Sequence, residues 1–572
     1  MRRHHRSFRL LAPFFALILL LAACGGTDEE EEGGPTPGGG SGESDESATG
    51  KQEGGTPATG EGLPEDTLID YATLAAANPN HIDPATADTR NGSQVTELIY
   101  DGLTEVDSDN ELVPDVAEEW ESNEDATEWT FTLRDDVTFS DGEQVTPTTF
   151  KRSWERALNP ELASSLAYHY LPIEGATEFS EGDAEEITGV VADDEANTLT
   201  VTLADPLSDW PAVVSHTVFS PVPEEAYSAT TADEINEWER GVMIGNGPYA
   251  MDGEWENNVV IPLTENTEYW GEAPNIPNID FRISSELEAA YNAFEGGEGD
   301  TAYIPAGSFA DATETYNNAT DRSFGLYYFA INYEDEFLGG EENLAVRQAI
   351  SMAIDRERIN EQAYDGARES ATGVTPPGIP GFTEDLCGEF CTYDEEAAAD
   401  LVEEWGKADE MDPIELQFNL GGDHEDVVNI VEENLTAIGL PVEQVPLDGE
   451  TYFDEMQVEG GCSLCRAGWI WDYPSYYNGM YALFNSVGID GDNLGRFNVP
   501  EFDEVANEAA ATSDEDERNE LWNEAEEILF DNMGVIVLNW YTNQVVYSDR
   551  VEGLVVNGLQ AVNYPEMSLT EG

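Results

Sequence analysis

The sequence predicts an α/β protein of two lobes that share crossing strands, with a cleft between the lobes. Its 572 residues are too many for one ordinary core, and a hydrophobic content of 40% is enough to fold. Residues 107–214 carry the alternating patterns of a mixed, mostly antiparallel subdomain. Beyond residue 326 strands and helices alternate as they do in a parallel sheet. The cleft between the lobes is the default place for a ligand.

The first 24 residues predict an export signal. MRRHHRSFR is basic, and the apolar run LLAPFFALILLLAA is too short and wrongly flanked for a stable membrane span. The run ends in Leu21-Ala22-Ala23-Cys24, which resembles a lipobox. We therefore expect acylation of Cys24, which anchors the protein to the outer face of the cytoplasmic membrane. Ordinary secretory cleavage is the alternative, and the Arg2-Arg3 pair leaves the export route open.

Residues 25–62 predict a tether between the membrane and the folded part. They are Gly, Glu, Ser, Thr and Pro with almost nothing to bury, so we expect a flexible chain that repels itself. No second long apolar run follows. Together with the predicted lipidation of Cys24, the segment predicts a lipid-anchored extracytoplasmic protein.

The charge of the chain is extreme and evenly spread. Asp and Glu number 120 against 22 Lys and Arg, for a net charge of −98. Self-repulsion of this size destabilises a compact fold in dilute buffer, but the Debye length falls to about 3 Å in molar salt. We interpret the acidity as adaptation to a saline exterior, as in halophilic proteomes. It also argues against nucleic acid as a partner.

The elements of the first part follow one another as strands, turns and a few helices. TLIDY and NTLTVTL read as strands, and EWTFTL places Trp129, Phe131 and Leu133 on one face. PTTFKRSWERAL begins with a proline and predicts a helix, as does SQVTELIYDGL. Together they predict a lobe that carries an extra antiparallel subdomain.

From residue 326 onward the pattern changes to strands that alternate with helices. LYYFAIN predicts a buried strand, and NLAVRQAISMAI an amphipathic helix. IELQFNL, HEDVVNIVEENLTAIG, LPVEQVPL, TYFDEMQVEG and CRAGW then give the order βαβαβ. VIVLNW and NQVVYS return as strands near the end. This order predicts a second lobe built on a partly parallel sheet.

Four cysteines besides Cys24 form two close pairs, Cys387 with Cys391 and Cys462 with Cys465. In an exported protein two disulfides are the default, although three connectivities are possible. We favour pairing within each close pair. A zinc site of four cysteines is the alternative.

The chain lacks the usual signatures of an enzyme. It contains no G-x-S-x-G, no H-E-x-x-H and no glycine-rich phosphate loop, and only four histidines follow the signal segment. With 120 acidic residues, two carboxylates at glycosidase spacing carry no information. We therefore expect a protein that is not an enzyme and that has no cofactor or metal, with a secreted hydrolase as the weakest alternative.

Residues 466–477, RAGWIWDYPSYY, isolate one arginine and one aspartate among aromatic residues. A pocket for a small zwitterion explains this better than a solvated face, because guanidinium suits a carboxylate and an aspartate suits an ammonium group. If 466–472 were one extended strand, Arg466 and Asp472 would share a face up to roughly 20 Å apart. Trp469, Trp471 and Tyr473 would lie on the opposite face, as pocket walls or as core.

Several ordered motifs resemble the family 5 extracellular solute-binding proteins, the receptors of peptide-type ABC importers. The similarity covers 63–572 and is carried by LVPDVAEEWESNEDATEWTFTLRDDVTFSDGEQVTPTTFKRSWERA (112–157), GNGPY (245–249), ENTEYWGEAP (265–274), VRQAISMAIDRERI (346–359), YDEEAAADLVEEWG (393–406) and AGWIWDY (467–473). The resemblance implies the two-lobed periplasmic-binding-protein fold of the large three-subdomain type, with a hinge and an interlobe cleft.

The resemblance also implies roles for individual residues. In the oligopeptide-binding branch the aspartate matching Asp472 takes the peptide's α-amino group. The arginine and histidine matching Arg466 and His424 approach its C-terminal carboxylate, and Asn332 matches a residue near the cleft or hinge. Relatives also bind nickel complexes, haem or oligosaccharides. An oligosaccharide receptor is the main alternative, with Trp469 and Trp471 stacked on a sugar.

We thus expect a monomeric receptor of an ABC importer that captures short peptides and delivers them to membrane permease subunits. Lobe I comprises 63–325, with 107–214 as its extra subdomain, and is completed by 541–572. Lobe II comprises 326–540. Hinge closure would bury the ligand, and the permease would recognise the closed state.

Overall fold

The structure is a computed structural model that describes residues 62–570, except 76–77, 242, 422 and 450. The predicted export signal, the lipidation site at Cys24 and residues 25–61 of the tether lie outside this part of the chain. Of the described residues, no helix has both the length and the apolar character needed to cross a bilayer.

The strands of the described chain form five sheets. In chain order they are β1 Thr67–Tyr71, β2 Thr104–Val106, β3 Leu112–Pro114, β4 Ala117–Ser122, β5 Glu128–Leu133, β6 Val190–Asp193, β7 Thr198–Thr202, β8 Tyr249–Met251, β9 Val260–Glu265, β10 Asn278–Arg282, β11 Thr301–Tyr303, β12 Asn317–Ala319, β13 Arg322–Ile331, β14 Glu369–Ser370, β15 Ile414–Asn419, β16 Val442–Leu447, β17 Leu464–Ile470, β18 Val535–Thr542, β19 Val545–Tyr547, β20 Val551–Glu552 and β21 Ser568–Leu569.

The α-helices pack around these sheets. They are α1 Arg90–Ile99, α2 Pro147–Ala157, α3 Ala176–Ser180, α4 Trp210–Val213, α5 Ala232–Arg240, α6 Leu287–Glu295, α7 Phe309–Thr315, α8 Leu344–Ala353, α9 Arg356–Ala363, α10 Glu395–Trp405, α11 His424–Ala437, α12 Tyr452–Met456, α13 Ala482–Phe484, α14 Pro500–Ala511 and α15 Glu515–Asp531. Short 3₁₀ turns and one π-helical turn, Tyr477–Tyr481, complete the helical structure.

Lobe I is built on two sheets. The larger has the order β12-β19-β11-β1-β10-β9-β8, with β1 parallel to both β10 and β11. The smaller, β4-β5-β7-β6, is wholly antiparallel and lies in the predicted extra subdomain. Its strand β5 buries Trp129, Phe131 and Leu133 on one face, as the alternation predicted. Helix α2 begins at Pro147, and Thr146 caps it in a capping box.

Lobe II is built on the six-stranded sheet β14-β18-β13-β17-β15-β16. Strand β15 is parallel to β16 and to β17, with α11 and α12 as the connections, so the predicted βαβαβ unit is confirmed. Strand β13 lies in the middle and pairs antiparallel with β17 and β18. Nine of its ten residues are buried because both faces of this strand are covered.

Two chain crossings join the lobes, one between β12 and β13 and the other between β18 and β19. The backbone N–H of Asn543 donates to the carbonyl of Asp321 at 2.8 Å, which ties the two crossings together. One hydrophobic core runs from Phe324 to Trp540, and another combines residues before 320 with residues after 544 and with Tyr473. The exact lobe limits stay a prediction, but the two-lobed α/β fold class is confirmed.

The four cysteines of lobe II form two disulfides, Cys387–Cys391 and Cys462–Cys465, with Cα–Cα distances of 5.6 and 5.4 Å. The pairing within each close pair therefore agrees with the prediction. The alternative of a four-cysteine zinc site is wrong, because disulfide sulfurs are not the thiolates that bind zinc. The described residues contain no cluster of three or more His, Cys, Asp or Glu that could hold a metal ion.

Candidate functional site

A cavity of about 390 Å³ opens between the lobes beside their crossing strands. Thr73 and Tyr303 line it from lobe I, Arg368 and Ile470 line it from lobe II, and Tyr541 lines it from the crossing strand β18. The volume lies within the range usual for ligand pockets. Strand β17, which carries Arg466 and Trp469, therefore ends at the cavity wall.

Arg466 lies in β17 opposite Phe329 of β13 and points to the same face as Tyr327. Its guanidinium is 5.0 Å from the centre of the Tyr327 ring, and Nη1 donates to Asn419 Oδ1 at 3.3 Å. Nε is buried and makes no hydrogen bond, and no ion pair with Arg466 exists within the described residues. Among so many carboxylates, an arginine without one has charge available for a ligand.

A glycine makes room for this guanidinium. A Cβ atom at Gly468 would lie 2.5 Å from the hydroxyl of Tyr541 and 3.3 Å from Nη2 of Arg466. At the first distance the Tyr541 hydroxyl would have to move to admit any side chain. Gly468 of the RAGW motif thus lets Tyr541 and Arg466 pack closely against β17.

His424 is the first residue of α11, and the structure brings it to the same cluster. Its Nδ1 lies 3.2 Å from the hydroxyl of Tyr327, the ring that Arg466 covers. Burial, together with the charges of Arg466 and Arg368, lowers the pKa of His424 to about 3. The imidazole is therefore neutral at physiological pH and offers one donor or acceptor without adding a charge.

Arg368, which precedes β14, is a member of this cluster that the sequence did not reveal. Its guanidinium lies 3.6 Å from the ring centre of Tyr364, 4.5 Å from that of Tyr541 and 5.6 Å from that of Tyr327. No motif surrounds it in DGARES. The only available signal was the scarcity of basic residues in the chain.

Asp472 lies beyond the strand. The condition that 466–472 form one extended strand is not met, because β17 ends at Ile470. The backbone N–H of Asp472 donates to Asn478 Oδ1 at 3.2 Å instead of to a neighbouring strand, and Asn478 Nδ2 donates to Asp472 Oδ2 at 3.0 Å. Pro474, two residues on, has no N–H for a ladder. The described residues form no ion pair with Asp472.

Side chains of lobe I lie near Asp472. Tyr168, His169 and His216 form a stack with ring centres 4.1 and 4.4 Å apart. Burial raises the pKa of Tyr168 and the charge of Asp472 raises it further, whereas burial lowers the pKa of His216 and Asp472 acts against that shift. Asp492 of lobe II is close as well, because Asp472 adds to the rise that burial causes in its pKa. Asp472 thus lies where the lobes face each other.

The predicted aromatic face divides between several environments. Trp471 is 1% exposed in the core of lobe II, and its Nε1 donates to the carbonyl of Ser475. Tyr473 is buried in the core of lobe I, although the chain around it belongs to lobe II. Trp469 is half-buried and donates from Nε1 to Asn478 Oδ1 at 3.0 Å. Two of the three are therefore core residues.

Asn332 is buried inside lobe II. Its Nδ2 donates to the carbonyl of Cys462 at 2.9 Å, and its Oδ1 accepts from the backbone N–H of Glu334. Its amide thus joins the end of β13 to the disulfide loop before β17. The structure does not bring it together with Arg466 or Asp472.

The sequence and fold resemble those of characterised proteins. Residues 111–491 match the family described as Bacterial extracellular solute-binding proteins, family 5 Middle. The periplasmic oligopeptide-binding protein OppA of Escherichia coli strain K12 is 30% identical over 508 residues, 85% of this chain and 90% of that protein. The oligopeptide-binding protein OppA of Bacillus subtilis strain 168 is 26% identical over 530 residues, with shares of 89% and 95%.

A solved structure agrees with this assignment. The Escherichia coli murein tripeptide binding protein MppA superposes with a TM-score of 0.71 at 26% identity, over 89% of this chain and 99% of that chain. The likeness confirms the predicted periplasmic-binding-protein architecture. The family match alone spans well over half of the sequence. The chain belongs to the bacterial extracellular solute-binding proteins of family 5.

Proposed function

We propose that this protein is the receptor of an ABC importer that captures short peptides between its lobes and delivers them to the permease. One observation carries the proposal. Asp472 and Arg466 lie close together in the chain and near the interface of the lobes, and neither has an ion-pair partner among the described residues. A ligand with one positive and one negative end satisfies both.

The spacing of the two charges suits a peptide. From Arg466 to the end of β17 the strand rises about 13 Å, at about 3.3 Å per residue. Asp472 lies two residues beyond the strand, and we infer that the two charges are separated by roughly the length of a short extended peptide. Its α-ammonium group would bind Asp472, and its carboxylate would bind Arg466 with a hydrogen bond from His424.

The relatives support the peptide class, since two of the similar proteins carry the name oligopeptide-binding protein. The alternative of an oligosaccharide receptor required Trp469 and Trp471 to face the ligand together. Trp471 is part of the core, so that aromatic platform is incomplete. Recognition through the peptide backbone would tolerate many side chains.

The proposal includes the place of the protein in the cell. The family consists of extracellular proteins. Lipidation of Cys24 would anchor the chain to the outer face of the cytoplasmic membrane, with residues 25–62 as the tether. The receptor would act as a monomer without a cofactor and leave ATP hydrolysis to other subunits.

Calorimetric titration of the mature protein in molar salt tests the function. Tri-alanine should bind, and N-acetyl-tri-alanine should bind at least thirtyfold more weakly, because a buried charge without its partner costs about 2–5 kcal/mol. Asp472→Asn should bring the two affinities close together. Equal binding of both peptides to the unmodified protein would move the ligand's amino end away from Asp472.

A further inference from the structure

The cavity between the lobes has an unusual charge for this protein. Sixteen residues line it, and none of them is Asp or Glu, although 120 of the 572 residues in the chain are acidic. At that frequency about three acidic residues are expected among sixteen. The wall holds two arginines and several side-chain amides, among them Gln94 and Gln544. The cavity between the lobes is thus lined without acidic side chains, although the protein as a whole is strongly acidic.

The two arginines differ in how their charge is used. Arg90 makes an ion pair with Glu97 at 2.5 Å, so its guanidinium is neutralised within lobe I. Arg368 makes no ion pair with any described residue, and its Nη1 is buried without a hydrogen bond. The adjacent Glu369 is paired with Arg322 instead.

The surroundings of Arg368 hold its charge in place without neutralising it. Three tyrosine rings contact the guanidinium, and such contacts orient a cation and leave its N–H groups free to donate. The charge of Arg368 also acts on Asp423. Burial raises the pKa of Asp423, and Arg368 partly offsets that rise. The two are nevertheless not within ion-pair distance. Arg368 therefore lines the cavity with a charge that no described carboxylate neutralises.

Arg466 and Arg368 share the ring of Tyr327. Under the proposed function Arg466 takes the main-chain carboxylate of the peptide. Two guanidinium groups on one ring repel each other, and one carboxylate leaves the second unpaired in a partly buried place. The cluster therefore has the charge for one more anion.

We propose that Arg368 and this cavity form a subsite for an acidic side chain, the carboxylate of an Asp or Glu residue of the bound peptide. This proposal rests on the proposed function. The planar fork of Arg368 would hold the carboxylate in a bidentate pair, with the side-chain amide of Gln544 as a further donor. A cavity of about 390 Å³ also leaves room for water around the side chain. The subsite would select anionic peptides in spite of the negative field of the whole protein.

Calorimetry with matched peptides tests the subsite. Tripeptides of alanine that carry Glu at each position in turn are compared with the same peptides carrying Gln, in molar salt. At one position Glu should bind about tenfold more tightly than Gln, because only Glu brings the charge that pairs with Arg368. Arg368→Gln should remove this preference, and Arg368→Lys should retain part of it.

A control variant accounts for the change in net charge. Arg358→Gln also removes one positive charge, but Arg358 pairs with Glu433 on the surface and does not line the cavity. It should leave the ratio of Glu to Gln affinity unchanged.

Three results would overturn the subsite. They are equal affinity for Glu and Gln at every position, a preference that survives Arg368→Gln, and an Arg368→Gln variant that loses the Gln peptide as strongly as the Glu peptide. The last would assign Arg368 to the main-chain carboxylate. Failure of tri-alanine itself to bind would overturn the proposed function, and the subsite with it.

Discussion

A single buried carboxyl shows how this protein can respond to pH. Glu526 of α15 is 1% exposed and accepts hydrogen bonds from the backbone N–H of Val374 at 2.6 Å and from the hydroxyl of Thr375 at 2.9 Å. Burial raises its pKa to about 7, although these hydrogen bonds act in the opposite direction. The carboxylate form is therefore costly in the folded protein.

Glu526 makes the stability fall as the pH rises. The folded protein holds this proton up to about pH 7, whereas the unfolded chain releases it near 4.5, so unfolding releases a proton between these values. The contribution is complete below about pH 4.5 and lost above about pH 7, and it amounts to at most about 3 kcal/mol. Glu526→Gln should lack this slope. The free energy of chemical unfolding of both proteins, measured in molar salt from pH 4 to 8, checks this difference. Parallel plots of that free energy against pH would contradict the role of Glu526.

Asn478 positions two residues of the candidate site. It accepts from Trp469 Nε1 and from the backbone N–H of Asp472, and it donates to the Asp472 carboxylate. Asn478→Ala should weaken tri-alanine binding about tenfold, because it leaves the carboxylate free to turn. N-acetyl-tri-alanine serves as the control in the same titration and should lose less affinity. An equal loss for both peptides would show that Asn478 acts on the cleft in general.

At this scale the sequence predicted part of the site. Arg466 and Asp472 stand out because each is an isolated charge in an aromatic stretch, and the resemblance added His424. Arg368 could not be found, because only the fold brings it to Tyr327, some forty residues earlier in the chain. The sequence left Trp471 open as a pocket wall or a core residue, because an alternating pattern does not show where a strand ends.

Among the elements, β17 is the one on which the site depends, and a disulfide fixes its beginning. Cys462 and Cys465 are joined across the point where β17 starts at Leu464. Gln417 of β15 accepts from the backbone N–H of Ser463, and Asn332 donates to the carbonyl of Cys462. The loop is thus bound to both neighbouring strands, β13 and β15.

Removal of this disulfide should affect both stability and binding. The double substitution of Cys462 and Cys465 to Ser should cost about 2 kcal/mol of unfolding free energy, the loop entropy of a short cross-link. Peptide affinity should fall as well, because Arg466 follows directly in β17. The matched control is the double substitution Cys387→Ser and Cys391→Ser. It removes a disulfide that closes a loop of similar size outside the site. Equal effects of the two double variants on affinity would contradict the special role of β17.

The elements themselves were predictable wherever one periodicity persisted. The strand β5 and the βαβαβ unit from β15 to β17 have such a pattern. Helix α12 is only five residues long, because the two glycines at 460–461 follow it closely and the chain turns into the disulfide loop. Strand β14 has two residues, too few for any pattern, and it forms only because β18 offers an edge.

For the whole molecule, salt should act as a stabiliser. With a net charge of −98 the acidic side chains of the folded chain repel one another. In concentrated salt the Debye length becomes shorter than the distance between most surface charges, so this repulsion is largely screened. Raising KCl from 0.1 to 2 M should raise the unfolding midpoint by at least several degrees. Sucrose that matches the osmolality is the control, since it stabilises by exclusion without screening. An unchanged or lower midpoint in KCl would contradict the salt interpretation.

The order of the strands has a consequence for how the molecule is made. Strand β19 lies between β11 and β12, so the large sheet of lobe I is incomplete until almost the whole chain has emerged. Arg550, just beyond it, makes an ion pair with Asp300 and donates to the carbonyls of Pro64 and Thr67. The core of lobe II comes from one continuous stretch. During N-to-C synthesis or translocation, lobe II can therefore fold first, and lobe I, begun earlier, has to wait for the last residues.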